Sequence, residues 1–133
     1  MIDRGFGRIL NIASTAGFQP GPHMAVYFAT KAYVLSFTQA LGHELHGTGV
    51  TATAHCPGAT HSNFAKTAGS DHSLLFALSP ASAKDVAAHA ISAMNHGKPL
   101  SIHGWRNQMG VFALRIAPRW LVRVLAARLN LPK

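Results

Sequence analysis

The sequence predicts an α/β fold built on a parallel sheet. Three observations carry that expectation. The short run Ile9, Leu10, Ile12 and the alternating run Val50 to His55 both read as strands. Between them, Ala25 to His46 has apolar residues at helical spacing. A second helical stretch from about Ser82 precedes a third short run, Leu100 to His103. The order strand, helix, strand, helix, strand calls for right-handed crossovers and parallel pairing.

Each element has its own punctuation. Gly17, Pro20, Gly21 and Pro22 mark Thr15 to Pro22 as a loop. In the long helix, Val26, Ala29, Tyr33, Phe37, Ala40, Leu41 and Leu45 step by three and four, which predicts that they face the core; Gly47 and Gly49 stop it. Cys56-Pro57-Gly58-Ala59-Thr60 breaks the second strand, and an irregular stretch runs from His61 to Ser79. Ser82 with Asp85 three residues on predicts a capping box, with Val86, Ala90, Ile91 and Met94 as the apolar face and Gly97 as the stop. The rest reads as two helices, about Asn107 to Ile116 and Arg119 to Leu129, broken at Pro118.

Composition narrows the function classes. With 133 residues and 48% hydrophobic content, the chain suits one domain or part of one and is not disordered throughout. A single cysteine, Cys56, excludes an intramolecular disulfide framework and a multi-cysteine zinc site, and reads as a small buried residue. His43 and His46 lie three apart on a helix and read as a surface pair, so no metal site is expected. Met1 to Gly5 lacks an apolar signal region and no apolar run reaches membrane-spanning length, so a cytoplasmic chain is expected. The formal net charge is +8, and residues 98 to 133 hold seven basic residues and no acidic one. No nucleic-acid module accompanies them, so no nucleic-acid partner is expected.

The candidate chemistry gathers at one rim. Tyr27 and Lys31 stand one helical turn apart and share a face. Ser14 lies thirteen residues before Tyr27, at the end of the first strand, and Pro57-Gly58 follows the second. Ligands bind at the carboxyl ends of strands in open parallel sheets. Gly7-x-Ile9-Leu10-Asn11-Ile12-Ala13-Ser14-x-Ala16-Gly17, Tyr27-x-x-x-Lys31 and Cys56-Pro57-Gly58-Ala59-Thr60 together resemble the short-chain dehydrogenase/reductase family. Tyr-x-x-x-Lys alone is a weak signal; the combination is specific.

The resemblance implies the C-terminal half of a Rossmann-like doubly wound parallel sheet over residues 1–104, with a basic helical extension over 105–133. Met1 to Phe6 then corresponds to the tail of the preceding helix. The Gly-rich turn that seats dinucleotide phosphates on a helix N-terminus has no counterpart in the sequence. The implied activity is NAD- or NADP-dependent interconversion of a small alcohol and a carbonyl compound. By resemblance Tyr27 is the general acid/base, and an ammonium one turn away favours its phenolate. Tyr27 and Lys31 also contact the cofactor, Lys31 through the nicotinamide ribose, and Ser14 holds the substrate oxygen. The backbone of Pro57, Gly58, Ala59 and Thr60 lies against the nicotinamide, and Ser62 takes the place of a cofactor-contacting Thr. His61, Phe64 and His72 fall where the family varies its substrate loop.

Two other readings stand beside the enzyme. The long helix belongs to the subunit interface in the family, so the chain could be a catalytically inactive binding or oligomerisation module, or form a homo-oligomer through residues 25–46. The C-terminal stretch has apolar stripes Trp105, Met109, Phe112, Ile116 and Leu121, Val124, Leu125, Leu129, punctuated by Arg115, Arg119, Arg123 and Arg128. Those stripes either pack on the rest of the chain or lie on an anionic membrane as a peripheral anchor.

Overall fold

The computed structural model describes residues 1–61 and 80–130. Its elements are β1 (Gly7–Ile12), α1 (Ala25–Glu44), β2 (Val50–Cys56), β3 (Thr60–His61), β4 (Ala81–Ser82), α2 (Ala83–Asn95), β5 (Leu100–Ile102), α3 (Trp105–Ile116) and α4 (Arg119–Leu129). Short 3₁₀ turns occupy Ile2–Arg4, where a helix tail is expected, and Thr15–Phe18, inside the expected loop.

Among the described residues the main sheet has the order β1-β2-β5, parallel throughout, as the strand–helix alternation predicts. Gly7 pairs with Val50 and Ile12 with His55, so β1 and β2 end level with each other. A second small parallel pair, Thr60–His61 with Ala81–Ser82, has no signature in the sequence. It closes where Ala81 N–H donates to the Ala59 carbonyl at 3.0 Å.

β2 is buried on both faces, and strand alternation divides its side chains. Ala52, Ala54 and Cys56 face α1. Ala54 and Cys56 pack with Ala13 and Leu35, and Ala52 packs with Val50 and Leu45. Small residues on the strand let the α1 backbone approach closely. A polar clasp crosses the same layer: the Asn11 amide donates to Thr38 Oγ1 at 2.9 Å, and that hydroxyl donates to the Val34 carbonyl at 2.6 Å. Asn11 therefore serves the helix–sheet contact. Thr51, Thr53 and His55 face α2, where Gly97 approaches Thr51 and His89 approaches His55. Gly97 ends α2 with φ +63°, a conformation that costs glycine nothing.

The helix faces differ from the sequence expectation. α1 buries Phe28, Leu35 and Thr38, with Leu45 just past its end, whereas Val26, Tyr33 and Phe37 point outward and Ala29 and Ala40 are exposed. α1 carries apolar residues on most sides, so periodicity alone selects no face. Ser82 caps α2 by position, but its side chain makes no capping hydrogen bond, so the capping box does not form. Ile91 is exposed, and Ala90 and Ala93 supply the buried contact. The inward residues of α3 and α4 are Val111, Val122, Ala126 and the following Asn130, not the two predicted stripes. Asn130 donates its amide to the Pro22 carbonyl at 3.2 Å, tying the end of α4 to the loop before α1.

Candidate active site

β1 and β2 stay hydrogen-bonded beyond their ends. Ala13 N–H donates to the His55 carbonyl at 2.8 Å, and Thr15 N–H donates to the Pro57 carbonyl at 3.0 Å. This continuation places Ser14 beside Pro57. Ser14 is extended, its hydroxyl oxygen accepts from Ala16 N–H at 3.1 Å, and its Oγ lies 3.5 Å from the Pro57 carbonyl. The first contact starts the 3₁₀ turn; the second is too long to hold the hydroxyl proton firmly.

Lys31 reaches the same strand end from α1. Its Nζ donates to the Ile12 carbonyl at 2.9 Å and lies 5.9 Å from the centre of the Tyr27 ring. Tyr27 is half-buried and meets the edge of Phe28, with centroids 5.9 Å apart at 77°. Phe28 in turn fills the space over Gly21. Gly17 allows the turn to press on α1, since a Cβ there would sit 2.8 Å from the Lys31 carbonyl oxygen. The loop glycines thus set the distance between the Ser14 turn and the helix bearing Tyr27 and Lys31.

Pro57, Gly58, Ala59 and Thr60 are all half-buried. The Thr60 hydroxyl donates to the Gly58 carbonyl at 3.1 Å and tightens this turn. Asn107 of α3 covers Gly58, close enough that a Cβ there would meet its amide group, and donates to the His103 carbonyl at 2.7 Å. Nothing in the sequence marks Asn107, which lies far along the chain with no motif. Ser62, Phe64 and His72 lie outside the described residues, and His61 is exposed at the end of β3.

Behind this rim Cys56 is fully buried, and burial pushes its thiol up to about 11, which suits packing and not nucleophilic attack. On the opposite face of β2, His55 Nδ1 lies 3.2 Å from Ser101 Oγ. The His55 and His89 rings are 5.5 Å apart, and those of His89 and His103 5.3 Å. The alternation of β2 placed His55 on that face; nothing in the sequence paired it with His89 or His103. Among the described residues no cluster of His, Cys, Asp or Glu is arranged to hold a metal ion.

Residues 1–73, more than half the chain, match the family model described as short chain dehydrogenase. The chain belongs to the short-chain dehydrogenase family. Over 57 residues it is 49% identical to 2-dehydro-3-deoxy-L-rhamnonate dehydrogenase (NAD(+)) of a Sphingomonas species, covering 43% of this chain and 23% of that protein. Over 58 residues it is 48% identical to the ketoacyl reductase HetN of a Nostoc species, covering 44% and 20%. The short-chain dehydrogenase of Sphingobium yanoikuyae, solved with NADPH, superimposes with a TM-score of 0.69 at 28% identity. That match covers 86% of this chain and 45% of the other, so the chain spans less than half the length of this dehydrogenase relative. The α/β fold with a parallel sheet is therefore that of a family of oxidoreductases, in agreement with the motif resemblance.

Proposed function

We propose that this chain carries the acid/base and nicotinamide-facing half of an NAD(P)-dependent oxidoreductase that interconverts an alcohol and a carbonyl compound. The supporting observation is the convergence of Lys31 and Ser14 at the level ends of β1 and β2, with Tyr27 one turn from Lys31. Tyr27 gives a proton to the carbonyl oxygen in reduction and takes it back in oxidation. Ser14, with its proton weakly engaged, hydrogen-bonds the same oxygen as charge develops there. The names of the relatives, a ketoacyl reductase and a dehydrogenase, support that substrate class.

The donor set suits the nicotinamide end of a dinucleotide. Lys31 spends one N–H on Ile12 and keeps two donors for ribose hydroxyls. The half-buried backbone of Pro57, Gly58, Ala59 and Thr60 offers a flat wall for the ring, with Ser62 as a further contact. When bound, the dinucleotide supplies or accepts the hydride. Residues for its diphosphate do not form a Gly-rich turn in this sequence. The relatives include an NAD(+) enzyme and one solved with NADPH, so either cofactor suits the proposal.

The test is oxidation of NADPH or NADH by the protein over a panel of ketones and aldehydes. Lys31→Met should lower kcat/KM about ten- to a hundredfold, the value of a charge-assisted contact. Unchanged kcat/KM would sink the reading.

A second reading concerns assembly. Tyr33 and Phe37 stack with centroids 5.9 Å apart on the outer face of α1, and Tyr33 is 68% exposed. An aromatic pair left in water suits a homo-oligomer through this helix. Tyr33→Glu with Phe37→Glu should convert an oligomer into monomer in sedimentation velocity, while a wild-type monomer at every concentration would remove the idea.

A further inference from the structure

We propose that α3 and α4 form a surface anchor whose outward face docks on an anionic lipid bilayer. Trp105, Met109, Phe112 and Ile116 recur at four, three and four residues, which places them on one face of α3. All four are strongly exposed, Trp105 at 70% and Ile116 at 71%. Trp120, Val124 and Leu125 add exposed apolar surface on α4.

The other side of these helices is already committed to the protein. Val111, Val122 and Ala126 are buried, Asn107 and Gln108 donate to the His103 and Ile102 carbonyls, and Asn130 holds Pro22. The large apolar residues are therefore not the packing face. Exposed surface of this kind marks an interaction site.

Charge selects the partner. Residues 98 to 133 carry Lys98, Arg106, Arg115, Arg119, Arg123, Arg128 and Lys133 and no acid. Arginine stems lie along apolar surface while their guanidinium groups reach phosphate, and tryptophan suits the headgroup layer. A nucleic acid would meet the charge and leave Trp105, Met109, Phe112 and Ile116 in water. No described helix is long and apolar enough to cross a membrane, so the helices lie in the interface.

Trp105 and Trp120 are the two tryptophans of the chain, so selectively excited tryptophan emission reports on these two helices alone. The protein should float with phosphatidylcholine vesicles containing about 30% phosphatidylglycerol. Its emission should shift to the blue and be quenched by brominated acyl chains. Pure phosphatidylcholine vesicles should bind it weakly.

Replacing Arg106, Arg115 and Arg128 together by Gln should weaken partitioning about a hundredfold, since each charge near an anionic surface contributes about fivefold. Phe112→Ser with Ile116→Ser, both on the exposed face, should remove the blue shift while far-UV circular dichroism stays unchanged. Failure to float at low salt would overturn the proposal. So would flotation without a blue shift, which means adsorption by charge alone, or an arginine variant that partitions like the wild type.

Discussion

Tyr27→Phe is expected to lower turnover in carbonyl reduction by about 10²–10⁴-fold, the range for losing a positioned general acid. The substitution removes one oxygen. The ring that meets Phe28 edge-on remains, and so does the helix that carries Lys31 to the Ile12 carbonyl. Folding should therefore be intact, which circular dichroism and the urea midpoint can confirm. KM for the cofactor should change less than in Lys31→Met, because the proposed ribose contacts of Lys31 and the wall from Pro57 to Thr60 remain. A loss confined to kcat is the signature of an interaction made in the transition state. Lys31→Met should differ by raising the cofactor KM as well. Steady-state kinetics on the two variants separates the roles. If Tyr27→Phe keeps wild-type kcat, the acid/base assignment is wrong even if the cofactor binds.

Much of this site was legible because its parts are local. Tyr27 and Lys31 are one turn apart whatever the helix packs on, and Ser14 must lie where β1 ends. The level register of β1 and β2 then brings Pro57 to Ser14, an outcome that parallel pairing makes expected but does not dictate. Asn107 was not legible. It meets Gly58 only because α3 folds back over the end of β5, and no local pattern encodes that return.

The helix faces show a different limit. α1 places Val26, Tyr33 and Phe37 on one side and Phe28 and Leu35 on another, and both sets fit a helical period. What decides is the partner surface. Small residues on β2 and just past β1, Ala52, Ala54 and Ala13, leave room for Leu35 and Leu45, and Gly21 leaves room for Phe28. In α3 and α4 the larger side chains stay outside, and Ala126 and the valines Val111 and Val122 are buried. Size matched to the available gap outweighed hydrophobicity.

Below about pH 6.5 the protein is expected to lose stability, and His55 is the main cause. Its side chain is fully buried (0% exposed), with Nδ1 on Ser101 Oγ and Nε2 without a hydrogen-bond partner. The imidazolium would carry an N–H at Nε2 where no protein group accepts it, beside the His89 ring. Burial first, then positive charge on His89 and His103, lowers the His55 pKa to about 4. The His89 pKa is also lowered, by desolvation first and then by positive charge on His103 and Lys98. The unfolded chain takes up the His55 proton near pH 6.5, and the folded chain resists until about pH 4. The neutral native form therefore contributes stability that is complete above about pH 6.5 and is lost progressively down to about pH 4. The full loss is at most about 3 kcal/mol, against the roughly 5–15 kcal/mol that holds a domain folded. Urea midpoints measured from pH 7.5 to 4.5 should fall steeply in the wild type. His55→Gln keeps a polar side chain of similar reach but cannot titrate. Its midpoint should start lower at pH 7.5, because the Ser101 contact is altered, and then decline with a shallower slope. The difference between the two curves isolates this residue from the other histidines. Parallel curves would mean that His55 does not control acid unfolding and that the strain lies elsewhere under α2.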